Sequence, residues 1–435
     1  RLLILNEMQS ARLVPEAQAF ARTYPQSARV VQALYLQACR LFADGAYGRA
    51  SPVFENLVVL GQPAEAQPDC WFKLGWSRYQ EKKFKEAAVA FQEFSRRFPA
   101  EALAPRALLY AAFSLQNLQK PDDALPLFSA IVEKYPKAGE REQALYQQAL
   151  LQGQRGRNKD MRESFERLIR DYPKSGKLAQ AQYWVGWAWS EGKEWEKSIP
   201  PLEQARRLDP DAFFQKATWR LISARYYLGE SDSVDREIQA YESKKLSPVV
   251  PLELKWQLAR RFFDAGKFEP ATRYYGVVAG ADEKPDLQKD ARFYLGLSQM
   301  KLLRFKEAVK TFEQYLKTYP DLADQVTGGL ELSRAYLGAG RYGDARKTAE
   351  TVMQLQPEGR ANAEARIALG DALMEDRQYE EAARFYYSVF LLHGDKELVP
   401  KSLGKAARAY ELAGDSARRD KCLSELKTKY PEAGP

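Results

Sequence analysis

In the stretch CWFKLGWSRYQEKKFKEAAVAFQEFSRRFP, which begins at Cys70, apolar residues recur at three- and four-residue spacing twice over, on either side of Lys82 and Lys83. That spacing gathers the apolar side chains on one side of an α-helix. It predicts two helices, about Cys70 to Glu81 and about Phe84 to Phe98, joined by a short polar turn. Gly75 and Ala87 put small residues where two backbones must approach closely. Pro99 then stops the second helix, because proline has no N–H to donate and biases its predecessor away from helical geometry.

The same unit returns along the chain. Prolines that close a helix pair fall at Pro25, Pro99, Pro136, Pro173, Pro210, Pro248, Pro285, Pro320, Pro357 and Pro431, mostly about 37 residues apart or a multiple of that. An independent series sets an aromatic three residues before an alanine: Tyr47/Ala50, Phe84/Ala87, Phe268/Ala271, Phe305/Ala308, Tyr342/Ala345 and Tyr379/Ala382. A single helical hairpin leaves its apolar face uncovered, whereas stacked copies bury it in one continuous core. The expected fold is therefore all-α, a solenoid of about twelve helix-turn-helix units across the 435 residues.

The residues of this unit resemble the tetratricopeptide repeat, with Trp71, Leu74, Gly75, Phe84, Ala87, Phe91 and Pro99 standing at its signature positions. The resemblance extends over nearly the whole chain and implies a right-handed superhelix that binds partners on a concave face lined by the first helices. The unit departs from the family's 34 residues by about three more after the proline, in YPQSARVVQALY from Tyr24, YPKAGEREQALY from Tyr135 and YPKSGKLAQAQYW from Tyr172. This form is similar to repeats of bacterial cell-envelope proteins, including the outer-membrane assembly lipoprotein and the periplasmic partner of the Tol-Pal system. It implies a scaffold in the periplasm or at the outer membrane, for assembly, secretion or motility machinery, with a cytoplasmic location as the alternative. Counted back from Pro25, Arg1 falls inside a first helix, so the array is expected to open in mid-repeat, with a signal peptide, a lipid anchor or more repeats upstream.

One irregularity bears on organisation. In LGESDSVDREIQAYESKKLSPVVP, between Tyr227 and Pro251, the register slips, with a shortened turn between the helices and a lengthened loop after them. The slip marks either a joint between an N-terminal array, 1–247, and a C-terminal array, 248–435, or a local insertion.

Candidate binding residues come from the first helices. The position three before the small residue holds Tyr35, Phe72, Leu109, Tyr146, Tyr183, Trp256, Phe293, Leu330 and Ile367; one turn on come Cys39, Trp76, Phe113, Leu150 and Trp187, and further on Phe42, Tyr79, Phe263 and Met300. The resemblance places such positions in the groove, so Tyr35, Phe42, Phe72, Trp76, Tyr79, Phe113, Tyr146, Tyr183, Trp187, Trp256 and Phe293 are the candidate partner-binding residues. They serve either as packing between adjacent helices or as a groove for an extended peptide or partner helix, since rings with a polar edge are enriched at interface hot spots. Stacked aromatics also bind sugars, which leaves a glycan or peptidoglycan ligand as the alternative. Arg225, Arg260 and Arg334 fall nearby, as partners for acidic groups or as solvated charges.

Composition narrows the chemistry. Cys39, Cys70 and Cys422 have no CxxC spacing and His393 is the single histidine, so a zinc site or a histidine-dependent triad lacks raw material. The three thiols are expected as small buried helix residues. Glu380 and Glu381 are adjacent on a helix and point apart, and no phosphate-binding glycine loop or GxSxG turn occurs. No enzyme activity, cofactor or metal is expected. The net charge of +8 is dispersed, as in FKEAVKTFEQYLK, rather than gathered into the basic stripe that phosphate binding requires, so nucleic acid is not an expected partner. Apolar runs such as LVVL and SVFLL are far shorter than the roughly 18 residues that span a bilayer.

Overall fold

A computed structural model describes residues 1–433. Their contacts form two compact units, 1–244 and 245–433. The first holds α1 (Leu2–Glu7), α2 (Leu13–Thr23), α3 (Val30–Ala43), α4 (Tyr47–Leu60), α5 (Gln67–Gln80), α6 (Phe84–Arg97), α7 (Ala104–Asn117), α8 (Pro121–Lys134), α9 (Arg141–Gln154), α10 (Asn158–Asp171), α11 (Leu178–Glu191), α12 (Trp195–Leu208), α13 (Pro210–Tyr227) and α14 (Ser231–Ser243). The second holds α15 (Leu252–Asp264), α16 (Phe268–Ala279), α17 (Pro285–Lys301), α18 (Phe305–Thr318), α19 (Leu322–Gly338), α20 (Tyr342–Leu355), α21 (Gly359–Glu375), α22 (Tyr379–Leu392), α23 (Leu398–Leu412) and α24 (Ser416–Lys429). The described residues contain no strand. Within each unit every helix packs chiefly on the helices next to it in sequence, so the fold is an all-α solenoid of helix pairs.

The turn inside each pair sets the register. Lys82 takes the left-handed conformation at φ 59°, which lets its N–H donate to the Tyr79 carbonyl and that of Lys83 to the Arg78 carbonyl, both at 2.9 Å. Gly45, Gln119, Gly156, Lys193 and Gly229 do the same in the first unit, and Gly266, Leu303, Gly340, Arg377 and Gly414 in the second. These positions are 37 residues apart, with one step of 36 from Lys193 to Gly229. The register slip therefore lies upstream of Tyr227, and the turn 228–230 has the same length as the others, contrary to the sequence expectation. The longer loop 244–251 arises because α14 and α15 are each one residue shorter than the 14-residue helices α3 to α12 of the earlier repeats, with no insertion.

Small first-helix residues face large second-helix ones. A Cβ on Gly75 would stand 2.8 Å from the Phe91 ring, on Gly296 2.5 Å from Phe312, and on Gly370 2.5 Å from Tyr386. Phe54, Phe91, Phe128, Phe165 and Leu202 repeat every 37 residues along the second helices of the first unit, all fully buried. Each such side chain contributes about 1.5–3 kcal/mol relative to an exposed one. Two prolines expected only to close helices also open them: Pro210 and Pro285 are the first residues of α13 and α17, a position where the missing N–H costs nothing. The first helix of the unit read from Cys70 starts three residues earlier, at Gln67, with Pro68 in its first turn.

Candidate functional site

All eleven candidate aromatics lie on first helices and are partly buried, neither fully enclosed nor exposed. Their contacts divide them. Five turn toward a second helix: Phe42 meets Phe54 at 6.2 Å between ring centroids, Phe72 meets Phe91 at 5.5 Å and Phe94 at 5.8 Å, Phe113 meets Phe128 at 5.8 Å, Tyr146 meets Phe165 at 6.1 Å, and Phe293 meets Phe312 at 5.8 Å. These rings form part of the packing within a helix pair.

The others in the first unit reach the next first helix. Trp76 meets Tyr110 edge-on at 4.8 Å, Tyr79 meets Tyr110 at 5.4 Å, and Tyr110 continues to Phe113 at 6.2 Å, giving a connected cluster across α5 and α7. On α11, Tyr183 packs on Trp184 at 5.4 Å and on Phe213 of α13 at 5.2 Å, while Trp184 meets Trp187 at 5.6 Å. The Arg220 guanidinium lies over the Trp187 ring at 5.4 Å. Between these clusters the face is carried by amides: Gln116 donates to Gln147 at 3.3 Å, and the Tyr146 hydroxyl donates to Gln180 at 2.6 Å. In the second unit the buried indole N–H of Trp256 meets no acceptor, and Phe293 also packs on Tyr315 at 5.5 Å.

Tyr110, Trp184 and Tyr294 had not been singled out in the sequence. They occupy the position just after the one that holds Leu109, Tyr183 and Phe293, so shifting the same 37-residue comb by one residue would have found them.

At the start of the face, Asp69 of α5 collects three donors from two helices. The Tyr35 hydroxyl reaches its Oδ2 at 2.9 Å, the Cys39 thiol at 3.9 Å and the Lys73 ammonium at 2.8 Å. Lys73 also stands 3.4 Å from Cys39 Sγ. Burial pushes the Tyr35 hydroxyl up, as do Cys39 and Asp69. Cys70 and Cys422 are buried, as expected, but Cys39 is only partly so, with its sulfur beside Asp69 and Lys73 of the next first helix.

The three arginines flagged in the sequence are paired within the protein, Arg225 largely covered and Arg260 and Arg334 still partly exposed. Arg225 meets Glu203 at 2.5 Å and Glu230 at 3.1 Å, beside a 410 Å³ cleft in which Arg206 holds the buried Glu237 at 2.5 Å. Arg260 pairs with Asp264 at 3.1 Å and stacks on Tyr294 at 4.5 Å. Arg334 bonds Glu331, and Glu364 of the next first helix at 3.0 Å. Burial would lower the Arg334 guanidinium, but those two carboxylates hold it above its usual range. Among the described residues no cluster of His, Cys, Asp and Glu is arranged to hold a metal ion, and no helix is long and apolar enough to cross a membrane.

Five segments match the tetratricopeptide repeat family: residues 69–100, 106–138, 143–175 and 290–322 with one form of the repeat, and 336–389 with another. The chain is a tetratricopeptide-repeat protein, and that repeat is a scaffold for protein–protein interaction, in general without catalysis of its own. No curated protein matches it. Among solved structures it is similar to the nearly identical TPR-like repeats of a Podosopora anserina kinesin light chain (21% identity, 40% of this chain and 92% of that one, TM-score 0.34). It is also similar to Naa15/Naa10 bound to HypK (12% identity, 99% and 75%, TM-score 0.40) and to MamA from Desulfovibrio magneticus (19%, 42% and 97%, TM-score 0.36).

Proposed function

We propose that this chain is a non-enzymatic scaffold of a bacterial cell-envelope complex, and that it holds an extended segment of a partner protein along the first helices from α3 to α13. The observation that carries this reading is the half-buried cluster of Trp76, Tyr79, Tyr110 and Phe113, joined ring to ring across two repeats. Rings held by their neighbours lose little side-chain entropy on binding and offer both apolar area and polar edges, the composition of interface hot spots. The Gln116, Gln147 and Gln180 amides between the clusters supply donors and acceptors for a peptide backbone. The envelope location rests on the Tyr-Pro-x-Ser/Ala form of the repeats.

Panning a displayed library of unstructured peptides on the chain tests the binding reading. Wild type retains a family of sequences, and the Trp76→Ala, Trp187→Ala variant with unchanged helical circular dichroism does not; equal retention by both rejects it. Fractionation of source cells tests the location, with recovery in the cytosol against it.

A glycan ligand has one observation in its favour. Tyr227, 64% exposed, lies flat on Trp195 at 4.7 Å and 13°, an open ring face of the kind that stacks on a sugar. Co-sedimentation with isolated peptidoglycan that is lost in Tyr227→Ala supports this second reading over the first.

A further inference from the structure

The polar group around Asp69 sits on the candidate binding face, yet it joins two repeats and is built from reactive side chains. Cys39 belongs to α3 and Lys73 to α5, and their Sγ and Nζ atoms are 3.4 Å apart, held there by a common partner, Asp69 Oδ2. Lys73 is kept in place a second way, over the Phe42 ring at 5.6 Å. Among the three cysteines, Cys39 is the one that is not enclosed.

We propose that Cys39 and Lys73 are the two ends of a reversible, peroxide-formed sulfenamide crosslink that ties α3 to α5. In the first step the Cys39 thiol attacks a peroxide; the O–O bond breaks, the peroxide is reduced to water, and the sulfur is oxidised by two electrons to the sulfenic acid. In the second, Asp69 takes one proton from the Lys73 ammonium and the free amine attacks Sγ. The S–N bond forms, the S–O bond breaks, and the hydroxyl departs as water with the second N–H proton. The product is two hydrogens lighter than the starting protein, and a dithiol returns it to thiol and amine.

The surroundings set the pace of each step. Burial raises the Cys39 thiol, Lys73 opposes that rise, and Asp69 adds to it, so the thiol is mostly protonated and the first step is slow. Once the sulfenic acid exists, the Lys73 nitrogen stands 3.4 Å from that sulfur, and Asp69 is already bonded to the ammonium whose proton must leave. The link would fix the spacing of the two first helices at the edge of the face that carries Trp76.

The test is peptide mapping of the intact chain after mild hydrogen peroxide. Trypsin does not cleave after a modified lysine, so the sulfenamide joins peptide 30–40 to an uncut peptide 50–78, two hydrogens below the sum of their masses. A Cys39–Cys70 disulfide would instead join 30–40 to 50–73, cut at Lys73. The expected result is the uncut form, removed by dithiothreitol, retained in Cys70→Ser, and absent from Cys39→Ser and from Lys73→Arg, which keeps the charge opposite Asp69. The disulfide form alone, or conversion of Cys39 to sulfinic acid with peptide 74–78 released as before, overturns the proposal.

Discussion

The indole of Trp76 and the ring of Tyr110 meet edge to face, 4.8 Å between centroids and 88° between planes, across the step from one first helix to the next. Each ring thus supports its neighbour's position on the face as well as offering its own surface. In a double-mutant cycle, Trp76→Ala and Tyr110→Ala are expected to couple by about 0.5–1.5 kcal/mol, beyond the area each ring buries. Guanidinium unfolding of the four proteins measures it, and additive effects would mean the contact carries no stability.

Gly296 is expected to refuse a side chain. Its Cβ would stand 2.5 Å from Phe312, a ring that is fully buried and cannot retreat, so Gly296→Ala should cost about 1–3 kcal/mol and raise amide exchange in α17 and α18. Gly343, with nothing within 4 Å, is the control. There Gly343→Ala should be stabilising by up to about 1 kcal/mol through helix propensity.

Leu303 sits at φ 60° with 74% of its surface exposed, so it bears the left-handed backbone penalty and buries little. That penalty is roughly 1–2 kcal/mol for an L-residue, against about 0.5–1 kcal/mol for glycine's extra freedom when unfolded. Leu303→Gly should therefore raise stability by a few tenths to about 1 kcal/mol, read as a higher denaturation midpoint with unchanged slope.

Asp324 predicts an acid-sensitive contribution in the second unit. Burial alone would raise its carboxyl, but Lys289 at 2.5 Å and the Tyr315 hydroxyl at 2.7 Å hold it below the usual carboxylate range. A carboxyl depressed on folding stabilises at pH values above its unfolded value, about 3.9, and loses that contribution as pH falls through the folded one. Asp324→Asn should cost about 1–3 kcal/mol at pH 7, and less as the pH approaches 3. An unchanged difference between pH 7 and pH 3 would contradict this.

The fold was legible because the repeat writes the same instruction many times. Phe84 begins α6 as expected, since spacing alone determines it, whereas Gly75, expected where two backbones approach, lies against the Phe91 ring. The turn was harder. Its backbone conformation is the same at Gly45, Lys82 and Leu303, and a position that accepts glycine, lysine and leucine leaves no residue-type signal. The register slip was misplaced for this reason: only the left-handed positions show that the missing residue precedes Gly229. Side-chain direction was the least legible. Phe72 and Trp76 are four apart on one helix, yet Phe72 packs on its own second helix and Trp76 on the next first helix, a division set by neighbours more than 15 residues away in sequence. Arg225 and Arg334 each have a close sequence partner, Glu230 and Glu331, but their second carboxylates, Glu203 and Glu364, are equally remote.

The central claim is that the aromatic first-helix face of the first unit grips an extended polypeptide, and the equilibrium affinity of one peptide recovered by panning tests it most directly. By fluorescence anisotropy, Trp76→Ala with Trp187→Ala should weaken binding by at least about 30-fold, the equivalent of a 2 kcal/mol hot spot. Val89→Ser, at an exposed position on the second helix α6, should leave it unchanged. Equal affinity of the double variant and the wild type, with native circular dichroism in both, would contradict the claim.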